Sequence, residues 1–208
     1  VETLCGLVFA TFSEEVESLE SWLGEVATGI RRVLTRPLKV LGYDTQRIHA
    51  NWKTYHENPR DSYHANILHT FYGTFGLSRM SQESGMVLDQ AGRHVYFYTK
   101  AGTEKKSADY DKTASDLRSH NDQLTLEDPS ILAWKDEIGD GVSVQILNTC
   151  PSFVLHQIAN SLATRQLIPR GVDQSDLVWT YFGFADDDEE MTRLRLTQVN
   201  LVGSAGLV

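Results

Sequence analysis

Apolar and polar positions along the chain alternate between a helical and a strand period. Between Glu14 and Leu34, Val16, Leu19, Leu23, Val26, Ile30 and Val33 recur at helical spacing. Ser13, followed by Glu14, Glu15 and Glu17, supplies a cap and places acids at the positive end of that helix. Pro37 closes the segment. Leu4 to Phe12 (LCGLVFATF) reads as a core strand, and Leu38 to Ile48 as another, with Val40, Tyr43 and Ile48 set among polar residues. Asn51 to Phe75 is dense in aromatics and histidines; the pattern predicts a helix interrupted by Pro59 and a second helix from Arg60 or Asp61. Met86 to Lys100 predicts a hairpin turning at Gln90-Ala91-Gly92. Thr103 to Asp128 is polar, with few apolar anchors, and reads as a surface excursion. Four β-rich runs follow: Val142 to Thr149, Ser152 to Ile158, Leu162 to Pro169 and Leu177 to Phe184. Their tight spacing predicts antiparallel pairing. The acidic run Asp186 to Glu190 opens a last helix through about Val199 and reads as solvated. The sum is an α+β fold: an antiparallel β-sheet with helices on one face.

Composition narrows the function. A chain of 208 residues with 41% hydrophobic and 23% charged residues can build one good-sized core. The net charge of -9, without any Lys/Arg-rich run, argues against a nucleic-acid surface. No apolar run approaches the roughly 18 residues that span a bilayer, and no signal-peptide pattern opens the chain. Cys5 and Cys150 lie in no CxxC or Cys-x-His pair and read as thiols of a reducing cytoplasm. The ends are apolar and uncapped: a strand begins almost at residue 1, and Leu194 to Val208 carries no polar tail. Both features suggest part of a longer chain.

The chemistry concentrates in residues 51–69, NWKTYHENPRDSYHANILH. Glu57, Asp61, His64 and His69 fall close together there, beside Asn58. Two neutral imidazoles and one carboxylate are the ligand set of a facial triad for non-haem Fe(II), which leaves positions open for oxygen and substrate. The spacing resists that reading. His64 and His69 are five apart, about 140° around an ideal helix, and converge only where the helix is distorted or ends. Asp61, three before His64, lies on the same face and can accept its imidazole N–H. The same residues also fit a polar helix whose histidines merely pack and hydrogen-bond.

The run Asn51-Trp52-Lys53, Glu57-Asn58 and then Asp61-x2-His64-x4-His69 resembles the mononuclear-iron motif of Rieske-type ring-hydroxylating oxygenase alpha subunits. The resemblance continues through GLVFATF, NSLATRQLIP, LVWTYFGFADD and RLTQVNLVGSAGLV, nearly the whole chain. It is closest to the terephthalate dioxygenase and salicylate 5-hydroxylase branch, whose substrates are aromatic carboxylates. It implies a helix-grip catalytic domain with His64 and His69 as ligands of a mononuclear Fe(II). Asp61 would be the carboxylate linking this centre to the Rieske cluster of a neighbouring subunit, with Glu57 and Asn58 as supporting residues. Arg165 matches an arginine that binds the substrate carboxylate, a task suited to its planar fork; an ordinary sheet arginine is the plain alternative.

The resemblance also implies partners and missing parts. Electrons would come from NAD(P)H through a reductase or ferredoxin to a [2Fe-2S] Rieske cluster. No Cys-x-His and Cys-x2-His pair occurs here, so residues 1–208 would be a partial catalytic domain, with the Rieske domain and the C-terminal end elsewhere. The third iron ligand would lie beyond Val208, and alpha subunits would assemble as a trimer, with or without beta subunits. Pro59 departs from the β-branched residue usual among close relatives. Phe71, Tyr72, Phe75, Ile146, Leu155 and Ile158 are core candidates that can also line a pocket, and His56 and His156 read as structural. A non-catalytic ligand-binding module on the same scaffold is the competing function.

Overall fold

The computed structural model describes residues 1–103 and 124–202, so most of the expected polar excursion lies outside the described residues. The run Leu4 to Phe12 is a hairpin rather than one strand. β1 (Glu2–Leu4) pairs with β2 (Leu7–Phe9) across Cys5 and Gly6, both at positive φ. Gly6 adopts that conformation without a Cβ penalty, and the chain reverses there. Phe12 consequently stands fully exposed instead of in the core.

The helix expected from Glu14 starts five residues later. Ser13 Oγ accepts the Glu15 N–H in a local turn, whereas Ser18 accepts the Ser21 N–H at 3.2 Å and caps α1 (Leu19–Leu23). A 3₁₀ turn at Gly24–Val26 then leads into α2 (Ala27–Val33).

Seven strands form one antiparallel sheet: β3 (Leu38–Ile48), β4 (Ser84–Leu88), β5 (Val95–Lys100), β6 (Val142–Thr149), β7 (Phe153–Ile158), β8 (Ser161–Pro169) and β9 (Ser175–Phe184). Their order is β3-β9-β8-β7-β6-β5-β4. The antiparallel sheet, the hairpin of β4 and β5 and the four C-terminal strands all match the sequence pattern.

The α+β class holds, and helices cover both faces of the sheet instead of one. On one face, Leu23, Val26, Ile30 and Val33 of α1 and α2 pack against Leu147, Leu155, Leu162 and Phe182. Gly29 permits this approach: a Cβ there would come within 2.8 Å of the Tyr96 ring and 3.0 Å of Leu147. On the other face, Phe71, Tyr72 and Leu201 pack on Val144, Ile146, Val154 and Ile158. Successive residues of a strand point to opposite faces. Two-sided cover therefore buries all eight residues of β6, with polar Ser143, Gln145, Asn148 and Thr149 among them.

The last helix, α6 (Glu189–Val202), begins within the acidic run. Asp188 Oδ1 accepts the Met191 N–H at 2.7 Å. Asp187 is not solvated as expected: its side chain is buried, and Arg195 binds it through Nε at 2.7 Å. Burial pushes that carboxyl up, but bonds from Arg195 and the Phe184 N–H outweigh it and leave the group below its usual range.

Candidate active site

The site lies on the face opposite α1 and α2. α3 (Trp52–Glu57) is capped by Asn51, whose side chain accepts the Lys53 N–H at 3.1 Å. A 3₁₀ turn at Asn58–Arg60 contains Pro59, and Asp61 beyond it is extended. The second helix, α4 (His64–Leu68), therefore starts later than the sequence suggested. Asp61 Oδ1 takes the N–H groups of Tyr63 and His64, at 2.8 and 3.3 Å, and so satisfies the opening of α4.

His64 and His69 are five positions apart, and the backbone resolves the spacing problem. His69 stands outside both α4 and α5 (Thr70–Thr74), at φ -86 and ψ 78. That break swings its ring toward His64, and the two ring centroids lie 5.2 Å apart, edge to face.

The hydrogen bonds of His64 dictate its tautomer. Nδ1 lies 2.8 Å from the Asp61 carbonyl oxygen, which can only accept, so Nδ1 carries the proton. Its Nε2 lone pair takes the Asn58 amide at 3.2 Å. Donation of one ring N–H to a backbone carbonyl is how a metal-binding histidine is oriented. The partner is the Asp61 backbone, while its carboxylate stays 3.7 Å from Nδ1. Burial first, then His64 and Arg165, push the His69 pKa down, favouring the neutral ring that ligation requires.

Glu57 is exposed at the end of α3, 4.0 Å from Arg60, and among the described residues it makes no hydrogen bond or ion pair to either histidine. His56 is buried and packs under Asn148, whose amide donates to the His56 carbonyl at 3.2 Å. Among the described residues, no group of three or more His, Cys, Asp or Glu side chains is placed to hold a metal.

Tyr72 links the histidines to α6. Its ring centroid is 5.3 Å from that of His69, and its hydroxyl donates to the Leu201 carbonyl at 3.3 Å. Burial pushes the Tyr72 hydroxyl up to about 12, so it stays a donor. Leu201, near the end of α6, is thus tied through Tyr72 to His69. Tyr72 came from the sequence only as a core or pocket residue. Leu155, named with it, belongs to the opposite face.

Arg165 on β8 is buried on the site face, and its charge reaches His69 and Tyr72. Strands β7 and β8 join through Ala159 and Asn160 alone, with Ile158 opposite Ser161, Val154 opposite Arg165 and His156 opposite Ala163. His156 and Arg165 are therefore diagonal neighbours on one face. Arg165 Nε and Nη2 both donate to His156 Nδ1, at 3.2 and 2.8 Å, and Nη1 donates to the Tyr55 hydroxyl at 3.0 Å. Beneath the guanidinium lies the Trp179 ring, 4.4 Å from Cζ. Among the described residues, no carboxylate comes within ion-pair distance of Arg165. The plain reading of an ordinary sheet-surface arginine fails on burial alone. Sequence reasoning missed the roles of His156 and Tyr55; the hairpin register that brings His156 beside Arg165 was the signal available.

With 16% identity, a crystal structure of naphthalene 1,2-dioxygenase from Rhodococcus sp. bound to indole matches 96% of this chain and 48% of its own, at a TM-score of 0.71. A structure of the quaternary ammonium Rieske monooxygenase CntA matches 97% of the chain and 47% of its own, at a TM-score of 0.63 and 15% identity. The fold is thus that of oxygenases of the Rieske class. The family model "Ring hydroxylating alpha subunit (catalytic domain)" matches residues 34–202, and the chain belongs to that oxidoreductase family. The terephthalate 1,2-dioxygenase terminal oxygenase component subunit alpha 2 of Comamonas sp. is 47% identical over 100% of the chain and 50% of its own length. The salicylate 5-hydroxylase large oxygenase component of Ralstonia sp. is 40% identical over 98% of the chain and 48% of its own. The chain spans about half the length of the curated relatives it matches.

Proposed function

We propose that the chain is the iron-binding part of an oxygenase that hydroxylates or cis-dihydroxylates the ring of an aromatic carboxylate, of the terephthalate or salicylate class. The observation that carries this reading is the convergence of His64 and His69 at a helix break, with a buried arginine on the same face that meets no carboxylate among the described residues.

The donor set fits Fe(II). His64 is held as the Nδ1–H tautomer, its Nε2 lone pair taken only by the neutral Asn58 amide, which a cation displaces. A third ligand would come from the chain following α6, and Leu201 near the end of that helix is bonded to Tyr72. Bound Fe(II) would supply the O2 chemistry, with O2 as co-substrate. The residues of this chain orient the substrate, because Arg165 retains two N–H groups for its carboxylate. They also favour the neutral form of His69 and keep the ring within apolar walls built from Phe71, Ile146 and Ile158. Asp61, whose carbonyl fixes His64, is the bridge toward a Rieske [2Fe-2S] cluster on a neighbouring alpha subunit. That cluster would be fed by a reductase or ferredoxin in the cytoplasm. Asn58 supports His64 directly; Glu57 makes no contact that gives it a comparable role.

The test is metal content of the full-length protein. One Fe(II) per chain is expected, with loss of most of it in His64→Ala and in His69→Ala. A full-length protein that binds no iron, yet still binds an aromatic acid, would instead be a ligand-binding module.

A further inference from the structure

A guanidinium carries five N–H donors, and Arg165 spends three of them: Nε–H and one Nη2–H on His156 Nδ1, and one Nη1–H on Tyr55. Among the described residues two remain unspent, one on each terminal nitrogen, the number that a carboxylate takes in a two-pronged pair. Both acceptors that occupy the other donors are neutral.

A phenol hydroxyl and an imidazole can fix a cation in place without cancelling its charge, whereas an aspartate at either position would do both. The His156 ring must be neutral to accept at Nδ1, so its proton sits on Nε2. Burial, the dominant effect, and the adjacent Arg165 charge both hold its pKa well below the usual value. The resulting Nε2–H is buried and has no acceptor among the described residues. Leaving a buried donor unsatisfied costs free energy, and such exceptions call for an explanation. Here the compensating gain is an acceptor that never competes with substrate for the charge. Tyr55 has a second use: its oxygen accepts from Arg165, which leaves its own O–H to donate.

We infer that His156 and Tyr55 are positioning residues that hold Arg165 as an uncompensated cation, and that they thereby set the preference for an acid over its uncharged counterpart. This rests on the reading of Arg165 as the carboxylate-binding group.

The experiment uses the full-length holoenzyme and calorimetric binding of terephthalate, salicylate and anthranilate. Each acid is compared with its carboxamide, and the readout is the affinity ratio for the pair bound most tightly. Arg165→Gln should bring the ratio down about 30-fold or more. His156→Glu, which places an anion against the guanidinium, should lower it at least about tenfold while carboxamide affinity holds. His156→Gln retains a neutral acceptor and should stay within about threefold of the parent. Tyr55→Phe, at a partly exposed helix position where folding is not at risk, should lower the ratio about three- to tenfold. A purely structural role would move acid and amide together. If Arg165→Gln collapses the ratio but His156→Glu and Tyr55→Phe keep it, the positioning role is overturned and the carboxylate reading stands. If Arg165→Gln keeps the ratio, or the parent binds none of the three acids, the carboxylate reading falls and this inference with it.

Discussion

Two buried arginines in this domain have opposite surroundings. Arg195 on α6 is 1% exposed and Arg165 on β8 is 6% exposed, so both cations have left water almost completely. Arg195 gives Nε to Asp187 at 2.7 Å, Nη2 to Glu137 at 2.7 Å and to Asp187 at 3.1 Å, and Nη1 to the Asn160 carbonyl at 2.6 Å. Its charge is neutralised where it stands. Among the described residues, Arg165 bonds to a phenol and an imidazole and lies over an indole face. A buried cation with its counter-ions is a structural element, whereas a buried cation with neutral acceptors is, on the proposed reading, where a substrate anion would bind.

The comparison breaks or sharpens under substitution. The largest expected effect is on stability. Arg195→Met strips buried Asp187 of its close partner, leaving it only Arg36 at 4.0 Å, while Glu137 keeps Arg36 at 2.7 Å, and should cost about 3–5 kcal/mol in denaturant unfolding. Arg165→Met strands only neutral groups and should cost about 1 kcal/mol. Equal losses would erase the distinction. Next comes binding: Arg165→Gln should weaken an aromatic carboxylate by about 2–4 kcal/mol. Arg195→Met, measured where it remains folded, should leave the preference for acid over amide in place. An unchanged KM for the acid in Arg165→Gln would remove the functional half of the contrast.

The smallest effect is on pH dependence, where the two regions separate by window. His156 has a folded pKa below its unfolded value near 6.5, so the unfolded chain binds more protons as the pH falls. Its contribution is complete above about pH 6.5 and declines below it. Asp187, also depressed, contributes fully above its unfolded value near 3.9 and is lost only as the pH falls below that. Unfolding free energy measured from pH 7 to 3 should therefore begin to fall near pH 6.5, and His156→Gln should make that first decline shallower, the rest coming from His56, His69 and His94, which burial also depresses. A profile flat down to pH 4 in the parent protein would contradict the buried neutral imidazole.

Much of this was readable from residue order, and the misses have physical causes. The C-terminal strands announced themselves because β-branched and aromatic residues recur between turn residues. Leu4 to Phe12 looked continuous because a hairpin turn can be made from Cys5 and Gly6 without any polar residue. The early helix was placed too soon because Ser13 and Ser18 both precede acids, and only packing of Leu19 and Leu23 selects the second. Helices on the second sheet face were missed because Ser143 and Gln145 alternate with apolar residues in β6 as in a one-sided sheet, yet both are buried. At the site, the motif marked His64 and His69, but spacing alone placed them about 140° apart on a helix. Their convergence depends on one backbone torsion at His69. Arg165 was legible as an identity, while His156 and Tyr55 become its partners only through strand register and the placement of α3.

That register has a further consequence. Asn160, half of the two-residue link between β7 and β8, is fastened on four sides. Its N–H goes to Gln198 and its carbonyl receives Arg195, while its amide reaches the Lys135 carbonyl and Glu137. One residue inserted there would shift β8 by one position and turn the guanidinium at 165 away from His69, toward the α2 side. In evolutionary terms, substrate charge at this site is open to substitution and closed to insertion. One arginine keeps the reading frame in which the other is read.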